Sequence, residues 1–175
     1  PSPARPGPDQ VHVDFVGLTL AAAIAMDSYG VSVAVLEPDM ERMQRVSAIG
    51  ARAPEPDERF DVVIEASGNS NGLKSALERL ASNGRLVAVS LTGCAAHTVD
   101  IDRIVVSDQS LTGSLGSPGV WSHMLELLGR GRMRPSVLIT GRYRLSEARE
   151  AYAALLENRP GTGKLLILPD DEDRL

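Results

Sequence analysis

A chain of 175 residues with 43% hydrophobic and 23% charged content is long enough to bury one sizeable core and has the balance of an ordinary globular domain. A formal net charge of −5 with only 3% aromatics excludes the basic, ring-bearing footprint that nucleic-acid binding requires. The single cysteine, Cys94, excludes an intrachain disulfide and any multi-cysteine zinc site, and points to a reducing compartment, the cytoplasm.

Pro1 to Gln10 holds four prolines and reads as an extended arm. Arg5 followed by Val11 to Met26 loosely imitates a secretory leader. His12 and Asp14 interrupt that apolar run and prolines crowd its front, so a strand and a helix are expected there instead. No apolar run reaches the length of a membrane span.

Val11 to Val16 is expected as a first strand and the Ala-rich Leu18 to Tyr29 as a helix closed by Gly30. Val31 to Leu36 reads as a buried strand. Asp39 is placed as the cap of a helix running to Ile49, with Gly50 behind it. Ala51 to Arg59, with Pro54 and Pro56, reads as a loop. Phe60 to Ala66 is a third strand, Leu73 to Ala81 a helix ending at Asn83-Gly84, and Arg85 to Leu91 a fourth strand. Asp100 to Ser107 is a short helix or turn, Gln109 to Ser114 a strand, and Val120 to Leu128 a helix closed by Gly129 and Gly131. Val137 to Tyr143 is expected to be extended. Ser146 is expected to cap a helix to Leu156, and Lys164 to Leu168 is a final strand. Residues 11–169 form one domain on this reading, and Asp170 to Leu175 an acidic tail. Strands alternating with helices define a doubly wound α/β domain with a parallel sheet.

In such a sheet, ligands bind beyond the carboxyl ends of the strands. Ser67, Gly68 and Asn69, small and polar, follow the third strand and mark one wall of a crevice. A dinucleotide site further needs a glycine turn after the first strand, and an acid about 20 residues on that binds ribose hydroxyls. The turn here reads Phe15-Val16-Gly17-Leu18-Thr19-Leu20. Only the middle glycine of G-x-G-x-x-G remains, with Phe15 and Leu20 in place of the others. Glu37 stands at the right distance for the acid. Gly17 taken alone also suits an ordinary βα turn.

Several segments in order resemble the cofactor domain of the medium-chain dehydrogenase/reductase family, the zinc alcohol dehydrogenase relatives. Glu37-Pro38-Asp39-Met40-Glu41-Arg42-Met43 with Gly50-Ala51 is similar to the family's acidic residue, short helix and "GA" segment. Phe60 to Asn69 looks like its "DVVIEATGN" strand, Gly84 to Val89 like "GGRVVLVG", and Leu111 to Gly116 like "LTVRGSFG". Gly131 to Tyr152 resembles "GRVDPEPLITHRFPLDEAAEAF".

The resemblance implies a Rossmann-like sheet and a site for NAD(H). Gly17, Leu18 and Thr19 would form the phosphate turn, and Glu37 would bind the adenosine ribose. Ala66, Ser67 and Gly68 would line the adenine-side crevice. Ser90, Leu91, Thr92, Ser114 and Leu115 would approach the nicotinamide. The acid at Glu37 favours NAD(H) over NADP(H). Arg42, which has the reach to meet a 2′-phosphate, is expected instead to face solvent or Glu41. The resemblance also implies a homodimer through the Gln109 to Ser114 edge strand, which holds no guarding lysine or proline.

The departures are equally specific. Ala51 to Arg59 is too short for the family's usual extra helix, so one crossover is trimmed. The family's "LITH" reads Leu138-Ile139-Thr140-Gly141. Nothing here matches the amino-terminal catalytic domain that carries the zinc ligands and proton relay. The chain is therefore expected to bind NAD(H) weakly, to hold no zinc and to have no catalytic residues of its own. It is a fragment, works with another chain, or has lost redox function. Rival readings are a stand-alone non-redox protein on a degenerate scaffold and, last, an S-adenosylmethionine-dependent methyltransferase.

His12, His97 and His123 lack ligand spacing, and a Cys94–His97 catalytic pair is not expected. Trp121 with Met124, Leu125, Leu127 and Leu128 reads as core or subunit contact.

Overall fold

The computed structural model describes residues 10–14, 30–48, 50–93, 96–116, 119–131, 135–157 and 160–170. The expected phosphate turn (Gly17, Leu18, Thr19), the helix after it and Cys94 lie outside the described residues.

Five strands form one wholly parallel sheet: β1 (Gln10–Asp14), β2 (Ser32–Leu36), β3 (Phe60–Glu65), β4 (Leu80–Ala88) and β5 (Ser110–Gly113), in the order β2-β1-β3-β4-β5. The register aligns Val13 with Val35 on one side and with Ile64 on the other. Helices follow as α1 (Met40–Ala48), α2 (Ser70–Glu78), α3 (Ile101–Val106), α4 (Trp121–Gly129) and α5 (Ala148–Leu156). Strands β6 (Ile139–Arg144) and β7 (Lys164–Leu168) pair in parallel as a separate two-stranded sheet.

A parallel sheet needs cover on both faces, and strand alternation provides two apolar sides. On one, Val33, Val35 and Ala51 bury with Val46 of α1 against Val62 and Ile64. On the other, Ala34, Phe60, Val63 and Leu86 bury with Ala76 of α2 and Leu80. Each large side chain so buried contributes roughly 1.5–3 kcal/mol, so the sheet centre carries the domain.

The trimmed crossover makes one strand-like contact with the sheet edge. Arg52 makes an isolated parallel bridge to Ala34, outside β2: Val35 N–H donates to Arg52 O at 2.8 Å and Arg52 N–H to Val33 O at 3.3 Å. Residues 53–59 then cross back over β2 and β1 to start β3. With strands ~4.8 Å apart, that passage spans about three spacings, within reach of an extended loop. Arg52 and Glu58 close the loop with a two-pronged ion pair, one prong 2.7 Å long. That pair pulls the Glu58 carboxyl down to about 2, Arg52's hydrogen bond being the main cause. The segment read as plain loop thus contains one strand-like bridge.

Four further expectations are corrected. Helix α2 begins at Ser70, not Leu73, because Asn69 caps it: its side-chain oxygen accepts Gly72 N–H at 2.9 Å. The chain after Glu78 is strand, not helix. Leu80 pairs with Phe60, and a bulge with Asn83 at φ 61 intervenes before Val62 pairs with Arg85. Gln109 Nε2 donates to the bulge carbonyls of Leu80 and Ala81 at 3.1 and 3.0 Å, which holds this distorted stretch. Before β6, Pro135–Leu138 is a 3-10 turn rather than extended chain. Ser146 does not cap α5; its hydroxyl donates to Asp170 at 2.7 Å, while the Glu147 carboxylate takes Arg144 N–H.

The β6–β7 unit is tied to α1 through one turn. Gly161, at φ +73, donates its N–H to Asp39 Oδ2 at 2.8 Å and accepts from Arg45 Nη1.

Candidate functional site

The strand order reverses direction at β1. The chain leaves β1 for β2 on one side and returns at β3 on the other, so the carboxyl ends of β1 and β3 flank a topological switch point, where open α/β sheets bind ligands. A cleft of ≈ 490 Å³ opens at this rim, lined by Glu37 and Pro38 after β2, Arg42 of α1, Ser67 after β3, and Asn69 and Gly72 at the start of α2.

Glu37 is half-buried just past β2. Its Oε1 accepts Asp39 N–H at 3.0 Å, while Oε2 is buried with no partner among the described residues. A buried carboxylate oxygen without a donor is costly, and a ligand hydroxyl at the cleft would satisfy it. Asp39 stands behind it. Its Oδ1 accepts Glu41 and Arg42 N–H at 2.9 and 3.1 Å, capping α1 as expected. Hydrogen bonds hold the Asp39 carboxyl below its ordinary range, the one from Gly161 N–H first.

Arg42 departs from its expected position. It neither faces solvent nor pairs with Glu41: its side chain is 12% exposed, its Nε lies 3.4 Å from Asp39 Oδ2, and it lines the cleft. One helical turn carries it from Asp39 at i to Arg42 at i+3, on the same face.

The β3 end is organised by a residue that composition alone marks as odd. Glu65, 1% exposed, is a buried carboxylate at the end of β3, whose other acid, Asp61, is exposed. Ser67 N–H and Ser67 Oγ–H donate to Oε1 at 2.7 and 2.5 Å, and Ser90 Oγ–H donates to Oε2 at 2.8 Å. Ser90 Oγ in turn accepts Gly68 N–H at 3.0 Å. Glu65 thereby joins the turn after β3 to the turn after β4. Gly68 sits at φ +69, where its missing side chain allows the fold-back toward Leu91. At Gly72, a Cβ would fall 1.9 Å from Ser67 Oγ, so α2 can approach the turn only as glycine.

A second cavity of ≈ 410 Å³ lies on the other side of this network, lined by Glu65, Ser90, Leu91, Thr92, Gly93 and His97 among others. Thr92 Oγ1 and His97 Nε2 are 2.6 Å apart. Among the described residues, no three His, Cys, Asp or Glu side chains form a group suited to a metal ion.

The structure therefore brings Glu37 and Ser67 to one cleft and Ser90, Leu91 and Thr92 to a neighbouring cavity, with Gly68 in the turn between and Ala66 half-buried ahead of it. Ser114 and Leu115 follow β5, are exposed and lie outside both linings. Sequence reasoning missed Glu65, Asn71, Gly72 and Ser75. A charged residue between Ile64 and Ala66 was the available signal for Glu65. Asn69 followed three residues later by Gly72 marked the start of α2.

No protein-family model matches the chain. An uncharacterized zinc-type alcohol dehydrogenase-like protein of Escherichia coli K12, YdjL, is 31% identical over 101 residues, which is 57% of this chain and 28% of that protein. Sorbitol dehydrogenase of Halalkalibacterium halodurans is 29% identical over 112 residues, 63% of this chain and 32% of that protein. The alcohol dehydrogenase of Thermus sp. ATN1 superposes with a TM-score of 0.82 at 25% identity, covering 94% of this chain and 52% of the other. An alcohol dehydrogenase of E. coli CFT073, solved with NADH, shares the fold at a TM-score of 0.81 and 20% identity, covering 91% and 52%. The chain spans about half the length of these structures, and its matches span about a third of the curated relatives. These similarities, to zinc-type alcohol dehydrogenase-like proteins and to about half of solved alcohol dehydrogenases, fit a partial cofactor-binding domain of that kind.

Proposed function

We propose that this partial medium-chain dehydrogenase/reductase domain binds NAD(H) across the β2–β1–β3 rim and serves a protein that oxidises an alcohol or reduces a carbonyl. The buried, unpartnered Oε2 of Glu37 at the cleft carries this reading. It is the acceptor that a vicinal ribose diol would fill, and its negative charge disfavours a 2′-phosphate. NAD(H), when bound, supplies or accepts the hydride.

This chain's own residues bind and orient. Glu37 accepts ribose hydroxyl protons. Ala66, Ser67 and Gly68 wall the adenine side, held by the Glu65 network. Ser90, Leu91 and Thr92, with Ser114 and Leu115 beyond β5, serve the nicotinamide side. Gly17, Leu18 and Thr19 serve the pyrophosphate. Carbonyl polarisation and zinc belong to groups outside this sequence, and binding is weak because Phe15 and Leu20 replace turn glycines. The cytoplasm is the proposed compartment, supported by the lone cysteine. Among the described residues no helix is long and apolar enough to cross a membrane.

Calorimetric titration with NADH, NADPH and S-adenosylmethionine tests the reading. NADH is expected to bind with a micromolar or weaker constant and ahead of NADPH, with Glu37→Ala weakening NADH more than NADPH. S-adenosylmethionine binding in place of NADH supports the methyltransferase rival, and no binding at all the non-redox scaffold.

The proposed assembly is a homodimer through the β5 edge, which pairs with β4 alone among the described residues. Ser114 N–H donates inward to Ala88 O at 2.9 Å. By the two-residue alternation of a strand, Thr112 N–H also points inward, whereas Leu111 and Gly113 N–H point to the open edge. Light scattering should find a wild-type dimer that Leu111→Pro dissociates. A monomeric wild type, or a dimer indifferent to that proline, removes this edge as the interface.

A further inference from the structure

We infer that Asp39 is a specificity-determining positioning residue: by holding the Arg42 guanidinium in an ion pair, it keeps the cleft selective for a dinucleotide with a free adenosine 2′-hydroxyl over one bearing a 2′-phosphate. The inference rests on the dinucleotide reading above and goes beyond Glu37, the acid at the end of the second strand.

The sequence offers two opposed signals within one turn. Glu37 repels a 2′-phosphate, while Arg42 is the kind of residue that would bind one with a planar, two-pronged grip. Both line the same cleft. The structure shows how the conflict is resolved. Arg42 Nε lies 3.4 Å from Asp39 Oδ2, with side chains only 12% and 17% exposed. In so sheltered a place an ion pair is less screened than on an open surface.

Asp39 is itself immobilised. Its two oxygens take the N–H groups of Glu41 and Arg42 from its own helix and of Gly161 from the turn before β7. Three backbone donors from two distant segments fix the carboxylate, and the carboxylate fixes the arginine. Arg45, the next basic residue of α1, is directed to Gly161 O. Glu37 and Arg42 line the cleft itself, while Asp39 stands behind Arg42 and pairs with its guanidinium. Neutralising Asp39 removes its ion pair from the Arg42 guanidinium at the cleft.

The test is calorimetry on the full chain with NADH, NADPH, AMP and adenosine 2′,5′-bisphosphate, for wild type, Asp39→Asn, and Asp39→Asn combined with Arg42→Ala. Asparagine retains a side-chain acceptor for the helix cap, so the change is chiefly one of charge. Asp39→Asn should raise the NADPH-to-NADH affinity ratio about tenfold or more, the worth of one charge-assisted hydrogen bond. The bisphosphate-to-AMP ratio should rise alongside it. Adding Arg42→Ala should abolish the gain. A merely structural role for Asp39 would weaken all four ligands together and leave both ratios unmoved. Wild-type binding of NADH with ratios unchanged in Asp39→Asn, or a gain that survives Arg42→Ala, overturns this inference and leaves the dinucleotide reading standing. A wild type that binds none of the four overturns both.

Discussion

The rim at the carboxyl ends of β2 to β4 and the flank formed by β5, α3 and α4 obey opposite rules. At the rim, polar groups are buried or half-buried and answered: Glu65 by three donors, Asp39 by three, Gly68 N–H by Ser90 as acceptor. On the flank, large apolar groups stand exposed, including Val105 and Val106 of α3, Leu111, Leu115 and Trp121. Of α4, only Leu127 is buried. Burial without partners is costly for polar groups, and exposure is costly for apolar ones. Among the described residues, Oε2 of Glu37 is a buried acceptor at the rim that no donor answers, an opening fit for a ligand. The flank leaves several large apolar side chains in solvent among the described residues.

If that contrast is right, substitutions at the rim should cost stability steeply and those on the flank scarcely at all. Glu65→Ala should be the most damaging, because it strands the buried Ser67 N–H and empties the centre of the network; roughly 2–3 kcal/mol is expected in urea unfolding. A loss under ~0.5 kcal/mol would show that water replaces the carboxylate freely. Gly72→Ala should follow, at about 1–2 kcal/mol, since its Cβ forces Ser67 off Glu65. In that variant the urea midpoint should fall and NADH binding should weaken together; a change in one alone would uncouple the turn from the cleft.

The trimmed crossover behaves as rim by the same criterion. Glu58→Gln should cost about 1 kcal/mol at neutral pH, a value reduced for solvent screening because Arg52 is 41% exposed. The carboxyl is depressed in the folded state from 4.5 to about 2, so its contribution is full above pH 4.5 and vanishes as pH falls toward 2. Wild type and variant should therefore converge in acid; a gap that persists at pH 2 would assign the loss to packing instead. The smallest effect belongs to the flank. Val106→Ser should change monomer stability by less than ~0.5 kcal/mol, and a large loss would mean that α3 is better covered than its exposure indicates.

The chain's own pattern was enough for the parallel sheet. Runs such as Phe60-Asp61-Val62-Val63-Ile64 and Arg85-Leu86-Val87-Ala88, separated by helical stretches, admit little else, because β-branched runs joined by crossovers must lie parallel. Glu37 and Ser67 were legible for the same reason: their places at strand ends follow from strand length. Local capping was legible at Asp39, whose side chain accepts from the helix it precedes; the cap at Asp100 was not read. The capping signal misled at Ser146, where Asp170, 24 residues on, competes for the hydroxyl.

What only the tertiary structure decided are the pairings between groups far apart in the chain or free to turn either way. Arg42 has the same helix position whether it faces solvent, Glu41 or Asp39; the Gly161 turn, 122 residues from Asp39, fixes the carboxylate that holds it. The acceptance of a charge at Glu65 depends on Ser90, 25 residues away. The shortened crossover forms one bridge at Arg52 because the edge of β2 offers its N–H and C=O groups. Hydrophobic periodicity is local and can be read along a chain, whereas satisfying a buried polar group is a question of which partners folding brings within 3 Å.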